Sequence, residues 1–195
     1  MINTNAIIRF HTFYSDFDKA AEKYDEAFKK NVQIYLELKE RLHCVNVSSD
    51  QAFRSKYATF YVMNQYLKSE QKDAYFNKLE ELKHTSNISI SVPAFTEEMM
   101  PLLGNKFHFS FCSKMANILN DDAYPIYDRN VRSVFHRRGL GYGHDYYSSI
   151  YCDITDTYTA LRGDAVIDKF IKRYHAQNMG FMKVVDVLFW VLYNE

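Results

Sequence analysis

Apolar residues recur every three to four positions along most of the 195-residue chain, which is the period of an amphipathic α-helix. A long first helix is predicted from Asp16 or the residue before it to about residue 43, and Ser49 or Asp50 can cap the next helix. A third, polar helix is predicted over 70–82. Strand-like alternation occurs once, over 87–92, and the chain holds only six glycines and three prolines. The pattern therefore predicts an all-α fold.

The C-terminal half carries the same helical period. The segment 182–193 is apolar on nearly every side, which predicts a central, buried helix. We predict one all-α domain over 1–195, with about eight helices in two lobes around a cleft. The polar stretch before Pro93 is interpreted as the connector, so that the N-terminal lobe covers about 1–92 and the C-terminal lobe about 93–195.

The amino-acid composition argues against several functional classes of protein. Lys plus Arg and Asp plus Glu number 24 each, which argues against a protein that coats nucleic acid but leaves room for a local basic patch. The three cysteines form no CxxC pair, so neither a disulfide framework nor a cysteine zinc site is indicated. No metal or other cofactor is predicted. No signal peptide or membrane-spanning run is recognised, and the expected compartment is the cytoplasm.

A lysine and an aspartate stand out because they lie close together in sequence on predicted consecutive helices. Lys114 falls early on an apolar helix, and Asp128 follows the extended segment 124–127 at the start of the next helix. A desolvated lysine amine is a nucleophile, and a carboxylate beside it can stabilise positive charge. The pair is therefore predicted to be catalytic.

Structural alternatives stay open for both residues. Lys114 can be a lysine that extends its amine from a core helix to solvent, and Asp128 suits the N-cap of its helix. A second lysine, Lys56, competes with Lys114, because the segment 53–58 repeats the Phe-x-Ser-Lys-x-Ala pattern of 111–116.

The order of these residues resembles the helix-hairpin-helix DNA glycosylase superfamily, and within it the 8-oxoguanine DNA glycosylase branch and its bacterial relatives. Ser113 and Lys114 match the family's turn and lysine, and the segment 125–128, Pro-Ile-Tyr-Asp, matches its aspartate motif. The clear resemblance covers about residues 107–135. The stretch 110–112, Ser-Phe-Cys, departs from the family because its hairpin usually carries glycines there.

The resemblance implies a helix-hairpin-helix glycosylase-like fold and a DNA-repair enzyme. Lys114 would attack C1′ of a flipped-out, oxidised purine nucleotide and form a Schiff base, and Asp128 would stabilise the developing charge. The implied partner is damaged double-stranded DNA. AP-lyase activity would follow from β-elimination through the same intermediate.

Six residues are predicted to contact nucleic acid: Lys106, Ser113, Arg129, Arg132, His136 and Tyr142. Three of them, Arg129, Arg132 and His136, share one face of a predicted helix, where they can bind phosphates. A solvated helix end is the alternative for this face. Two other functions remain open: a non-catalytic nucleic-acid-binding or phage-defence protein on the same fold, and a helical protein-interaction module.

Overall fold

The computed structural model describes residues 1–85, 89–135 and 144–193. Its described residues form α-helices and one 3₁₀ turn, with no strand among them, which confirms the all-α prediction. None of the described helices is long and apolar enough to cross a membrane. The α-helices are α1 (Thr4–Phe13), α2 (Phe17–Lys23), α3 (Asp25–Cys44), α4 (Gln51–Phe60), α5 (Ser69–Lys83), α6 (Val92–Met99), α7 (Phe109–Leu119), α8 (Arg129–Phe135), α9 (His144–Thr159), α10 (Ala165–Tyr174) and α11 (Phe181–Tyr193).

The helices exceed the predicted eight because the long first helix is divided. The Asp16 side chain accepts a hydrogen bond from the Lys19 N–H at 3.1 Å and begins α2, and Tyr24 then separates α2 from α3. A further helix, α1, precedes them and is capped by Asn3, whose side chain accepts a hydrogen bond from the Ala6 N–H. The Asn3 cap and the break at Tyr24, which has no side-chain cap, are local features that hydrophobic period alone does not reveal.

Helix α11 occupies the centre of the molecule, as its apolar pattern predicts. It packs against α1, α3, α8, α9 and α10, and most of its side chains are buried. Its neighbours α3 and α8 come from opposite halves of the chain. Helices α6 and α7 pack on each other, and α3 packs on α4. This arrangement brings α3 and α4 opposite α7 and α11 across a cavity.

Candidate functional site

A cavity of about 890 Å³ lies between residues of the two halves of the chain. One side, the N-terminal wall, is built from α3, α4 and the two residues that follow α4. It comprises Ala27, Lys30, Asn31, Ile34, Ala52, Ser55, Lys56, Thr59, Phe60, Tyr61 and Val62. The other side, the C-terminal wall, is built from α7, the residues before α8, and α11. It comprises Lys114, Ile126, Asp128, Lys183, Asp186, Val187 and Trp190.

The C-terminal wall brings Lys114 and Asp128 into the same cavity. Lys114 is half-buried, and its ammonium lies 5.2 Å from the ring centre of Phe111 and 5.6 Å from that of Tyr61. Within the described residues it forms no hydrogen bond and no ion pair. Burial lowers the pKa of Lys114, against the opposing charges of Asp128 and Asp186. A larger fraction of the amine is therefore neutral at physiological pH than for an exposed lysine.

Asp128 holds its place as the cap of α8. One carboxylate oxygen accepts hydrogen bonds from the backbone N–H groups of Asn130 and Val131, both at 2.9 Å. This is the N-cap role expected from the sequence, and the residue also lines the cavity. Its carboxylate is thereby fixed in direction by α8.

Buried polar side chains of α7 tie this helix to the segment before Asp128. The Ser113 hydroxyl accepts a hydrogen bond from the Tyr127 N–H at 3.0 Å and donates to the Ser110 carbonyl at 3.0 Å. One turn later, the Asn117 amide donates to the Tyr124 carbonyl at 2.7 Å. Both side chains are fully buried. The helix that carries Lys114 therefore also sets the path of the chain into Asp128.

A second amine–acid pair lines the cavity and was not predicted. Lys183 and Asp186 form an ion pair of 2.8 Å on α11, with 3% and 6% of each residue exposed. The Lys183 ammonium also lies within 6 Å of three ring centres, those of Tyr35, Phe60 and Tyr61. Burial raises the pKa of Asp186, and the charge of Lys183 opposes that rise. The signal in the sequence was a lysine and an aspartate, three apart, on an otherwise apolar helix.

Asp121 joins the end of α7 to the start of α11. Its carboxylate accepts from the Lys39 ammonium at 2.7 Å, from the Tyr35 hydroxyl at 3.0 Å and from the Gly180 N–H at 2.7 Å. A Cβ atom at Gly180 would lie 2.4 Å from the Asp121 carbonyl carbon, so only glycine permits this approach. The contact between Asp121 and Gly180 therefore sets the position of Lys183 in the cavity relative to Lys114.

Two features of the N-terminal wall are unusual. The Tyr61 residue is 5% exposed, and its hydroxyl has no hydrogen-bond partner among the described residues. The next residue, Val62, has φ of +56°, which is unfavourable for a β-branched side chain. An unsatisfied hydroxyl and a strained backbone thus occur side by side at the cavity. Both are energetically unfavourable, and such features tend to cluster at functional sites.

The residues predicted to contact nucleic acid are scattered in the structure. Arg129 and Arg132 are exposed on α8, and Lys106 is exposed before α7, but none of the three lines the cavity. Ser113 is fully buried and uses its hydroxyl within the protein, so in this structure it presents no surface to DNA and instead positions the chain. His136 and Tyr142 lie outside the described residues.

No family model matches the chain, and no curated protein and no solved structure was found to be significantly similar to it. Among the described residues, no group of three or more His, Cys, Asp or Glu side chains is arranged to hold a metal ion. The cavity and its side chains are therefore the basis on which a function can be inferred.

Proposed function

We propose that the protein is a DNA glycosylase with AP-lyase activity that removes an oxidised purine through a Schiff base on Lys114. The observation that carries this proposal is the position of Lys114: a half-buried amine with a lowered pKa and no ion pair among the described residues, in one cavity with Asp128. A lysine must be neutral to attack, and burial is one way in which enzymes achieve this.

The proposed chemistry uses both side chains. As the bond from C1′ to the base breaks, positive charge develops on the sugar, and the Asp128 carboxylate stabilises it. The Lys114 nitrogen forms a bond to C1′, and the base leaves with its electron pair and takes up a proton. Opening of the sugar ring gives the Schiff base. Loss of a C2′ proton then expels the 3′ phosphate by β-elimination, and water finally releases Lys114.

The size and lining of the cavity support this substrate. A volume of about 890 Å³ is within the usual range for small-molecule sites, and it can admit a nucleotide rotated out of a duplex. Trp190 is 37% exposed and lines the cavity, where its ring can stack on a base. The oxidised purine is the base that the sequence resemblance implies.

Borohydride trapping tests the proposal. The protein is incubated with two duplexes, one containing 8-oxoguanine and one an abasic site, and the Schiff base is reduced to a stable adduct. We expect a covalent adduct with both duplexes and a loss of more than about 100-fold in Lys114→Gln, since the nucleophile itself is removed. Lys56→Gln, which replaces the rival lysine, should still form the adduct at low salt with DNA in saturating excess, because Lys56 is ion-paired with Glu37 and is not the proposed nucleophile.

Other outcomes assign other functions. An adduct that persists in Lys114→Gln, or no adduct with the wild-type protein, would overturn the proposal. Salt-dependent DNA binding without trapping would favour the non-catalytic nucleic-acid-binding protein. No DNA binding even at low salt would favour the helical interaction module.

A further inference from the structure

The N-terminal wall carries exposed polar side chains, whereas the charged side chains of the C-terminal wall are buried or half-buried. Lys30, Ser55 and Thr59 are exposed, and none of them forms a hydrogen bond or an ion pair through its side chain with another described residue. Lys56 is half-buried and is paired with Glu37 of α3. Ser55 and Lys56 each lie on the same side of α4 as Thr59, which follows them by four and three residues. The wall therefore presents two ammonium groups and two exposed hydroxyl groups to the cavity.

Charge is distributed unevenly between the cavity and the rest of the chain. The chain has a formal net charge of zero, yet lysines outnumber aspartates in the cavity lining. Two of the four lysines are paired, Lys183 with Asp186 and Lys56 with Glu37. Lys30 and Lys114 then face a single remaining aspartate, Asp128, so the lining keeps one excess positive charge and favours an anionic ligand.

We propose that the N-terminal wall binds the phosphodiester backbone next to the nucleotide in the cavity, with Lys30 and Lys56 as the cationic contacts and the Ser55 and Thr59 hydroxyls as donors. This inference rests on the proposed function, because a nucleotide that enters the cavity stays attached to its strand through phosphates on both sides. Lysine ammonium groups and side-chain hydroxyls are common phosphate ligands.

The start of α7 offers no free backbone donors at residues 111 and 112 to a phosphate. The stretch 110–112 has no glycine, and residues Phe111 and Cys112 are buried in the first turns of α7. Their backbone N–H groups are hydrogen-bonded to the His108 carbonyl. These two donors are therefore already used, and the N-terminal wall supplies donors that are not.

The ion pair between Lys56 and Glu37 provides a variant that should raise the affinity for DNA instead of lowering it. Glu37 competes with a phosphate for the Lys56 ammonium, so removing its charge should strengthen DNA binding. Lys29 offers a matched control on α3: it is ion-paired with Asp25, is exposed, and does not line the cavity. Lys29→Gln changes the net charge by the same amount as Lys30→Gln.

The test measures the affinity for undamaged and 8-oxoguanine duplexes as a function of salt concentration. We expect Lys30→Gln and Lys56→Gln each to lower the slope of log affinity against log salt by about 0.7–0.9, since each removes one phosphate contact. The loss should be the same for both duplexes, because phosphate contacts carry no base information. Glu37→Gln should raise affinity, and Lys29→Gln should leave the slope unchanged.

The outcomes separate this inference from the glycosylase proposal. Slopes that do not change in Lys30→Gln and Lys56→Gln, or that change equally in Lys29→Gln, would overturn the phosphate site even if borohydride trapping succeeds. Reduced slopes in a protein that never traps a Schiff base would support the phosphate site and overturn the glycosylase. A wild-type protein that binds no DNA at low salt would overturn both.

Discussion

The two walls of the cavity carry the same local sequence pattern in different surroundings. In both α4 and α7 the pattern Phe-x-Ser-Lys-x-Ala places its phenylalanine and alanine in the core and its lysine at the cavity. The serines diverge: Ser55 is exposed, whereas Ser113 is buried and hydrogen-bonded to the segment before Asp128. The lysines diverge as well, since Lys56 is ion-paired with Glu37 and Lys114 lies against two aromatic rings. Helical period sets the side a residue faces, while tertiary neighbours set its chemistry.

The largest contrast in stability is expected between the ion pairs of the two walls. Lys183→Met should lower the free energy of unfolding by about 3–5 kcal/mol, because it leaves the Asp186 carboxyl buried without its partner. Lys56→Met breaks the solvent-exposed pair with Glu37 and should cost less than about 1 kcal/mol. Urea denaturation of both variants measures the difference, and similar losses would show that the C-terminal wall is no more tightly organised than the N-terminal one.

The two serines provide the next contrast. Ser113→Ala leaves the buried Tyr127 N–H without an acceptor and should cost about 1–3 kcal/mol. Ser55→Ala, at the equivalent position of the exposed wall, should stay within about 0.5 kcal/mol of wild type. The same denaturation experiment applies. A small effect at Ser113 would mean that α7 does not hold the Asp128 segment through this hydroxyl.

Replacing Lys114 should stabilise the protein near neutral pH. The lowered pKa means that the folded state disfavours the charged amine, and this penalty is fully present below the folded pKa. Lys114→Met removes the penalty, with a gain of roughly 0.5–1.5 kcal/mol as for other single stabilising changes at functional sites. The advantage of the variant should shrink as pH rises through the folded pKa toward about 10.5, the ordinary lysine value. Unfolding curves at several pH values measure it, and an advantage that grows with pH would contradict the assignment.

The smallest effect concerns two buried tyrosines. Tyr61→Phe removes a hydroxyl that has no partner among the described residues, so stability should be unchanged or slightly higher. Tyr14→Phe is the matched control: the Tyr14 hydroxyl donates to the Leu188 carbonyl at 2.7 Å, and its loss should cost about 0.5–1.5 kcal/mol. Thermal melts compare the two. A clear destabilisation by Tyr61→Phe would indicate that its hydroxyl is satisfied in solution.

Local signals in the sequence accounted for the helices better than for the site. Capping predicted the start of α4 at Ser49 or Asp50, and in the structure the Asp50 side chain accepts a hydrogen bond from the Phe53 N–H. Lys114 and Asp128 are close in sequence and lie on consecutive predicted helices, so both could be expected to line one cavity. The Lys183–Asp186 pair could not be foreseen in the same way. It reaches the cavity only because the Asp121–Gly180 contact sets the entry of α11, and that contact joins residues 59 positions apart.

Trp190 gives the cavity a built-in optical probe. It is the sole tryptophan of the chain, it lines the cavity, and it is partly exposed to water. Light absorbed at the red edge of the protein spectrum therefore excites an indole at this one place. A nucleobase stacked on that ring would quench its emission and shield it from acrylamide, so occupancy could be followed in the unlabelled protein, including the Lys114→Gln variant.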